Sequence, residues 1–322
     1  MFTDLTLPTL PPMEVLISCS LAAVALFMLL AVCFAPFLSV ACDCAAAATG
    51  RGFYTKLARQ IAQMNLALAL VGAASFVGCV VFLVRENPGL MDFPFRLPLL
   101  LASGCAASSV LFTLAHTFLA PQKRPSSLFH IWLGLMAGIF SMATVYLSIG
   151  LARRLLHTPP VMDPSLAPLE QLHAFFSLPW SSFFWSLAAE SVPLGIAASG
   201  SCATLWLLLA RGRQDYGRDY YAFAMPDCAK WAFAGTLIAL PLGVLVFFQS
   251  SKLMLPELSH SPSLPLELLG ILLPLLACAL WIRVIRSNVP MRHKLAIFLA
   301  FILVIGGFAS QVLMLNKMIP SP

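Results

Sequence analysis

The feature that most restricts how this chain can fold is the recurrence of apolar runs long enough to cross a bilayer. A spanning helix needs about 20 predominantly apolar residues. Eight stretches qualify, at approximately 14–40, 60–84, 97–119, 128–151, 177–209, 229–249, 264–285 and 292–315. Hydrocarbon offers no partner to a backbone N–H or C=O, so spanning segments must satisfy these groups internally. Only 10% of the residues are charged and mean hydropathy is +0.90, where a soluble domain carries about 25% charged residues. A water-facing surface is thereby excluded. The expected fold is all-α: a single membrane domain over residues 1–322, built as a polytopic integral membrane bundle of about eight transmembrane helices.

The breaks between runs hold Pro, Gly and charge, as in "RENPGLMDFP", "APQKRPSS" and "RSNVPMRHK", which oppose helix continuation. The opening "MFTDLTLPTLPP" has no Lys or Arg, unlike a cleavable signal peptide, so the first run is expected to stay as a helix. An even number of spans puts both termini on one side. Most of the 19 Lys and Arg fall in alternate loops, around Arg51, Lys123, Arg211–Arg218 and Arg283–Lys294. The positive-inside rule makes that side cytoplasmic and the termini outer, or periplasmic in a cell with two membranes. The net charge of +6 is accounted for by these loops and points to no nucleic acid.

Two loops exceed a tight connection. The outer one, 152–176, contains "LEQLHAFF", which suits a short interfacial helix. The inner one, 210–228, places Tyr216, Tyr220 and Tyr221 beside Arg as an interfacial belt would. Neither accommodates a soluble domain, so the chemistry is expected within the membrane or on a partner chain. Nine Cys are present, mostly inside apolar runs, where Cys packs as a small hydrophobe. Cys42 and Cys44 form Cys-Asp-Cys rather than the C-x-x-C of zinc sites. Soluble phosphate-cradle, dinucleotide and zincin motifs are absent.

The candidate site residues are those expensive to keep in oil. Glu190 is the foremost, with no Asp, Glu, Lys or Arg between residues 171 and 210. An ionised side chain at mid-bilayer costs about 2.5 kcal/mol or more on insertion scales, and such residues favour function. Ser186 lies one turn before it, Pro193 frees a carbonyl near Ala189, and Gly195, Ser199 and Ala203 form a ridge of small residues for a neighbouring helix. Glu190 suits a proton carrier or a ligand to a quinone headgroup. Its opposing reading is a neutral carboxyl bonded to another helix. His116 closes the third run and His130 opens the fourth, so an antiparallel pairing brings them to similar depth as candidate ligands to the iron of a b-type haem. His157 and His173 flank the fourth and fifth runs as a second haem or quinone pair. Gln249 and Gln311 are further polar groups inside runs. For each histidine pair the competing reading is side chains at rest in the membrane interface.

"FFWSLAAESVPLG" resembles the F-F-x-x-E-S pattern of subunit I of bd-type quinol oxidases. That resemblance implies a haem and proton-route role at Glu190 and Ser191. Eight helices around a quinone site are also similar in architecture to the anchor subunits of polysulfide-reductase type complexes. The expected function is a subunit of a respiratory electron-transfer complex in the cytoplasmic (inner) membrane. It would bind menaquinone or ubiquinone, with haem b as a further cofactor, and meet redox subunits on its outer face. Glu190 would carry the proton, and His116, His130, His157, His173, Ser186 and Gln249 would hold cofactor. The alternatives are a transporter or permease subunit with Glu190 as coupling site, and a cofactor-free membrane scaffold.

Overall fold

The computed structural model describes residues 13–86, 88–119, 128–156, 165, 167–177, 183–212, 216–254 and 264–316. Among them lie nine α-helices and no strand. They are α1 (Met13–Thr49), α2 (Gly52–Glu86), α3 (Arg96–Phe118), α4 (Leu128–Leu156), α5 (Pro168–Phe176), α6 (Phe183–Ala210), α7 (Arg218–Met254), α8 (Leu264–Ile285) and α9 (Lys294–Asn316). All but α5 are long and apolar enough to cross a membrane. The protein is an all-α, multi-pass integral membrane protein. Its outward Leu111, Val71 and Phe82 are more than 60% exposed and face lipid.

The apolar runs locate the spans but understate several ends. α1 continues past residue 40 through "CDCAAAAT", because Ala has the highest helix propensity. It stops at Gly50, whose φ of +66° is the left-handed conformation that ends many helices. The Gly50 N–H donates to Ala46 O at 2.9 Å. The break expected over nine residues therefore shrinks to Gly50 and Arg51. The inner loop is likewise shorter than 210–228: after Gly217 (φ +87°) α7 begins at Arg218. Tyr220 and Tyr221 are fully buried in protein and do not form an exposed belt. Polar and aromatic letters lower the hydropathy of "RDYYAFAMPD", but the rings pack edge-to-face, Tyr216 on Tyr220 and Tyr220 on Tyr221. The "LEQLHAFF" stretch forms α5, with Phe175 buried against Phe95 and Phe176.

The helices gather into two compact units. One holds the first part of α1, to Leu30, with α6–α9. Here α6 packs along α7, α7 on α8, and α8 on α9. Residues Ala197 to Ala203 of α6 are all buried. The ridge residues Gly195, Ser199 and Ala203 are buried too, and the closest approach to α7 runs through Ala197 and Gly200. A Cβ at Gly200 would strike the Ala232 backbone, and one at Gly235 the Ala197 backbone. Phe27 of α1 meets Phe301 edge-to-face in the same unit.

The other unit holds α1 from Ala31 onward with α2–α5. α3 and α4 form an antiparallel hairpin. Its register is set by Ser109 Oγ and Ser141 Oγ at 2.5 Å and by the stacked rings of Phe112 and Phe140. α4 carries Gly134-Leu-Met-Ala-Gly138, the small-xxx-small spacing that lets helices approach closely. α1 uses it: a Cβ at Gly134 would meet Val40 Cγ2 at 2.5 Å, and one at Gly138 the Phe37 ring at 2.6 Å. α2 is tied to α1 through Ser39 Oγ, which donates to Ala58 O at 2.9 Å.

Candidate functional site

Within the α6–α9 unit, Glu190 sits on the buried side of α6 with 4% exposure. Its partner comes from α9: Gln311 Nε2 donates to Glu190 Oε1 at 3.0 Å. α7 leaves room for the pair because Gly243 has no side chain. A Cβ there would lie 2.6 Å from Gln311 Nε2 and 2.8 Å from Glu190 Oε1. The pair lies on the wall of a cavity of about 230 Å³ lined by α6, α7, α8 and α9. Its lining is apolar, with Leu187, Leu194, Leu240 and Phe308 among it, apart from Glu190, Gln311, Thr236 and Ser310. Thr236 Oγ1 donates to Ala232 O and Ser310 Oγ to Gly307 O, each at 2.7 Å. Their protons are thus engaged, and the hydroxyls present lone pairs. Gln311 has a second amide N–H beyond the one given to Glu190. The cavity therefore combines one donor, one carboxylate and two acceptors in an otherwise oily space.

Glycines let the helices approach closely around this space. Gly243, Gly270 and Gly307 line the cavity, as does Pro274. A Cβ at Gly307 would stand 2.5 Å from Pro274 Cγ, so α9 presses directly on the α8 proline. Pro193 in α6, Pro241 in α7 and Pro274 in α8 each withhold an N–H from the carbonyl four residues earlier.

The remaining candidates divide. Ser186 is half-buried on α6, one turn before Glu190. Ser191 Oγ donates to Ala188 O at 2.7 Å, back into its own helix. His157 and the side chain of Gln249 lie outside the described residues. His173 is exposed on α5. In the same unit as Glu190, Arg211, Arg218 and Arg292 line a second cavity with Asn288 and Tyr221.

His116 and His130 do come together, in the other unit. They stack face to face with ring centroids 4.2 Å apart and planes 19° from parallel. The antiparallel α3–α4 register dictates this, since the pairing that joins Ser109 to Ser141 brings these two histidines opposite each other nearer the connection. A third group completes the set. Asp43 of α1 places Oδ2 3.5 Å from Nε2 of both rings. The exposures are 1% for His116, 2% for Asp43 and 4% for His130. Bis-histidine ligation of a haem needs the two nitrogens on opposite faces of a porphyrin with iron between them. Here they turn side by side toward one oxygen, and the stacked rings leave no gap for a macrocycle, so the arrangement does not fit the expected haem. Asp43 is a buried carboxylate that reading the runs overlooks. It lies just past the first run as bounded at residue 40, and the signal for it is a carboxylate in the alanine-rich extension of that run.

Comparison with protein-family models returns no match, and neither does comparison with curated proteins.

Proposed function

We propose that this protein is a quinone-binding membrane subunit of an electron-transfer complex, with the cavity between α6, α7, α8 and α9 as the quinone site. The observation that carries the reading is Glu190 and Gln311, hydrogen-bonded to each other on the wall of an apolar cavity of about 230 Å³. Ligand sites of this kind are concave and mostly apolar, with a few polar groups that fix orientation. A quinone ring matches that profile. The free amide N–H of Gln311 donates to a quinone carbonyl. Glu190 accepts a proton when quinol is oxidised and returns it when quinone is reduced. Electrons pass to or from redox subunits bound on the outer face, and the protein supplies positioning and the proton acceptor while the quinone does the redox step. The complex would lie in the cytoplasmic membrane with both chain termini outside, a reading supported by the distribution of Lys and Arg.

The test is solvent extraction of quinone from the purified chain, followed by binding of a short-chain menaquinone or ubiquinone analogue. The expected result is bound quinone in the parent and none in Gly243→Leu, whose side chain fills the space beside Glu190 and Gln311. A chain that neither carries nor binds either quinone overturns the reading and leaves transport or scaffolding. Retained binding in a folded Gly243→Leu variant removes it from this cavity.

A further inference from the structure

A second site, independent of the quinone reading, is built from Asp43, His116 and His130. We propose that these three residues bind a first-row divalent transition-metal ion of the Zn²⁺ type, fastening α1 to the α3–α4 hairpin. Two imidazole nitrogens and a carboxylate oxygen are borderline donors suited to such ions and unsuited to Ca²⁺ or Mg²⁺, which take oxygen ligands. One ligand atom from each residue lies within 4.8 Å of the others.

The spacing decides between metal and ion pair. A charge-assisted hydrogen bond from imidazolium to carboxylate closes to about 2.7–2.9 Å. Both Nε2 atoms stand at 3.5 Å from Asp43 Oδ2. Metal–ligand bonds of about 2.0–2.2 Å at tetrahedral angles separate adjacent ligand atoms by roughly 3.4 Å. The two N···O distances of 3.5 Å match adjacent ligands of one cation and exceed a shared-proton bond. The burial points the same way: His116 Nε2 is sealed from solvent and makes no hydrogen bond, an unfavourable state for a ring nitrogen unless an ion occupies its lone pair. Gly134 keeps the site open, because a Cβ there would lie 2.9 Å from His116 Nε2.

The full chain, purified in detergent without a metal-affinity step, is analysed for metals by mass spectrometry. It is then stripped with chelator and titrated with Co²⁺. The expected result is stoichiometric Zn²⁺ or another first-row metal in the parent, and visible Co²⁺ absorption of low-coordinate type that Zn²⁺ displaces. Asp43→Asn, His116→Ala and His130→Ala should each weaken Zn²⁺ affinity by more than about 100-fold, beyond the range typical of losing a supporting partner. Glu190→Gln should keep the metal, which separates this site from the quinone cavity. A parent chain that holds no metal and gives no Co²⁺ spectrum overturns the proposal and leaves an Asp–His–His cluster alone. So does metal retained in all three site variants. The Co²⁺ titration of the parent decides the matter even where a variant fails to fold.

Discussion

The two buried polar constellations of this protein solve the same problem in opposite ways. Asp43, His116 and His130 come from three helices and press ring on ring, with Val40 and Gly134 closing against them. Glu190 and Gln311 come from two helices and face a cavity. The first keeps ionisable groups in the protein interior by packing them against one another. The second keeps a carboxylate there by giving it one amide and an unfilled space. Polar groups drawn together from three helices fasten those helices to one another, and polar groups left facing a cavity are available to a ligand from the membrane. Damage at the first should therefore appear as lost stability, and damage at the second as lost function.

The largest expected effect breaks the closed cluster. Asp43→Ala leaves two buried imidazoles without their carboxylate and should cost about 3–5 kcal/mol, the range for removing one partner from a buried charged set. Unfolding in detergent reads this out, and a loss below about 0.5 kcal/mol, as at an ordinary surface position, would mean that the cluster does not hold α1. Next comes Glu190→Gln, which keeps the size and polarity of the side chain but cannot accept a proton. Quinol turnover in the assembled complex should fall about 100-fold or more, with the unfolding midpoint unchanged. A matched loss of stability would make Glu190 a structural group like Asp43 and erase the contrast.

Gly243→Ala should be intermediate, costing about 1–3 kcal/mol by overpacking and weakening quinone-analogue binding in the same variant. Gly212→Ala is its control, because a Cβ there meets nothing within 4 Å. Smallest is His173→Ala on exposed α5, which should stay within about 0.5 kcal/mol of the parent and alter neither quinone nor metal content. A change in either would return His173 to the list of site residues.

The spans were legible because a bilayer imposes one length on every crossing helix, and eight apolar runs became eight long helices. The ends were less so. Hydropathy falls at "RDYYAFAMPD" although Tyr220 and Tyr221 are buried, since tyrosine is polar at its tip only. Glu190 could be singled out by its isolation, but its partner Gln311 is 121 positions away, and no local pattern encodes that pairing. The meeting of His116 and His130 follows from a short antiparallel connection. Their stacking, and the arrival of Asp43, depend on α1 seating on Gly134 and Gly138 of α4, a contact between helices far apart in the chain. Asp43 is further disguised by the cysteines on either side, which read first as a thiol pair.

The cavity beside Glu190 is lined by Gly243, Gly270 and Gly307, each seated against a side chain that an added Cβ would meet at 3.0 Å or less, and glycine is the smallest residue there is. Every replacement at these three positions adds atoms, so mutational drift can narrow the chamber but never enlarge it from there. The outward leucines of α8, such as Leu272 and Leu276, can vary both up and down in size against fluid lipid. Over many generations the outer surface of this unit is free to wander, while its hollow has only one direction in which to fail.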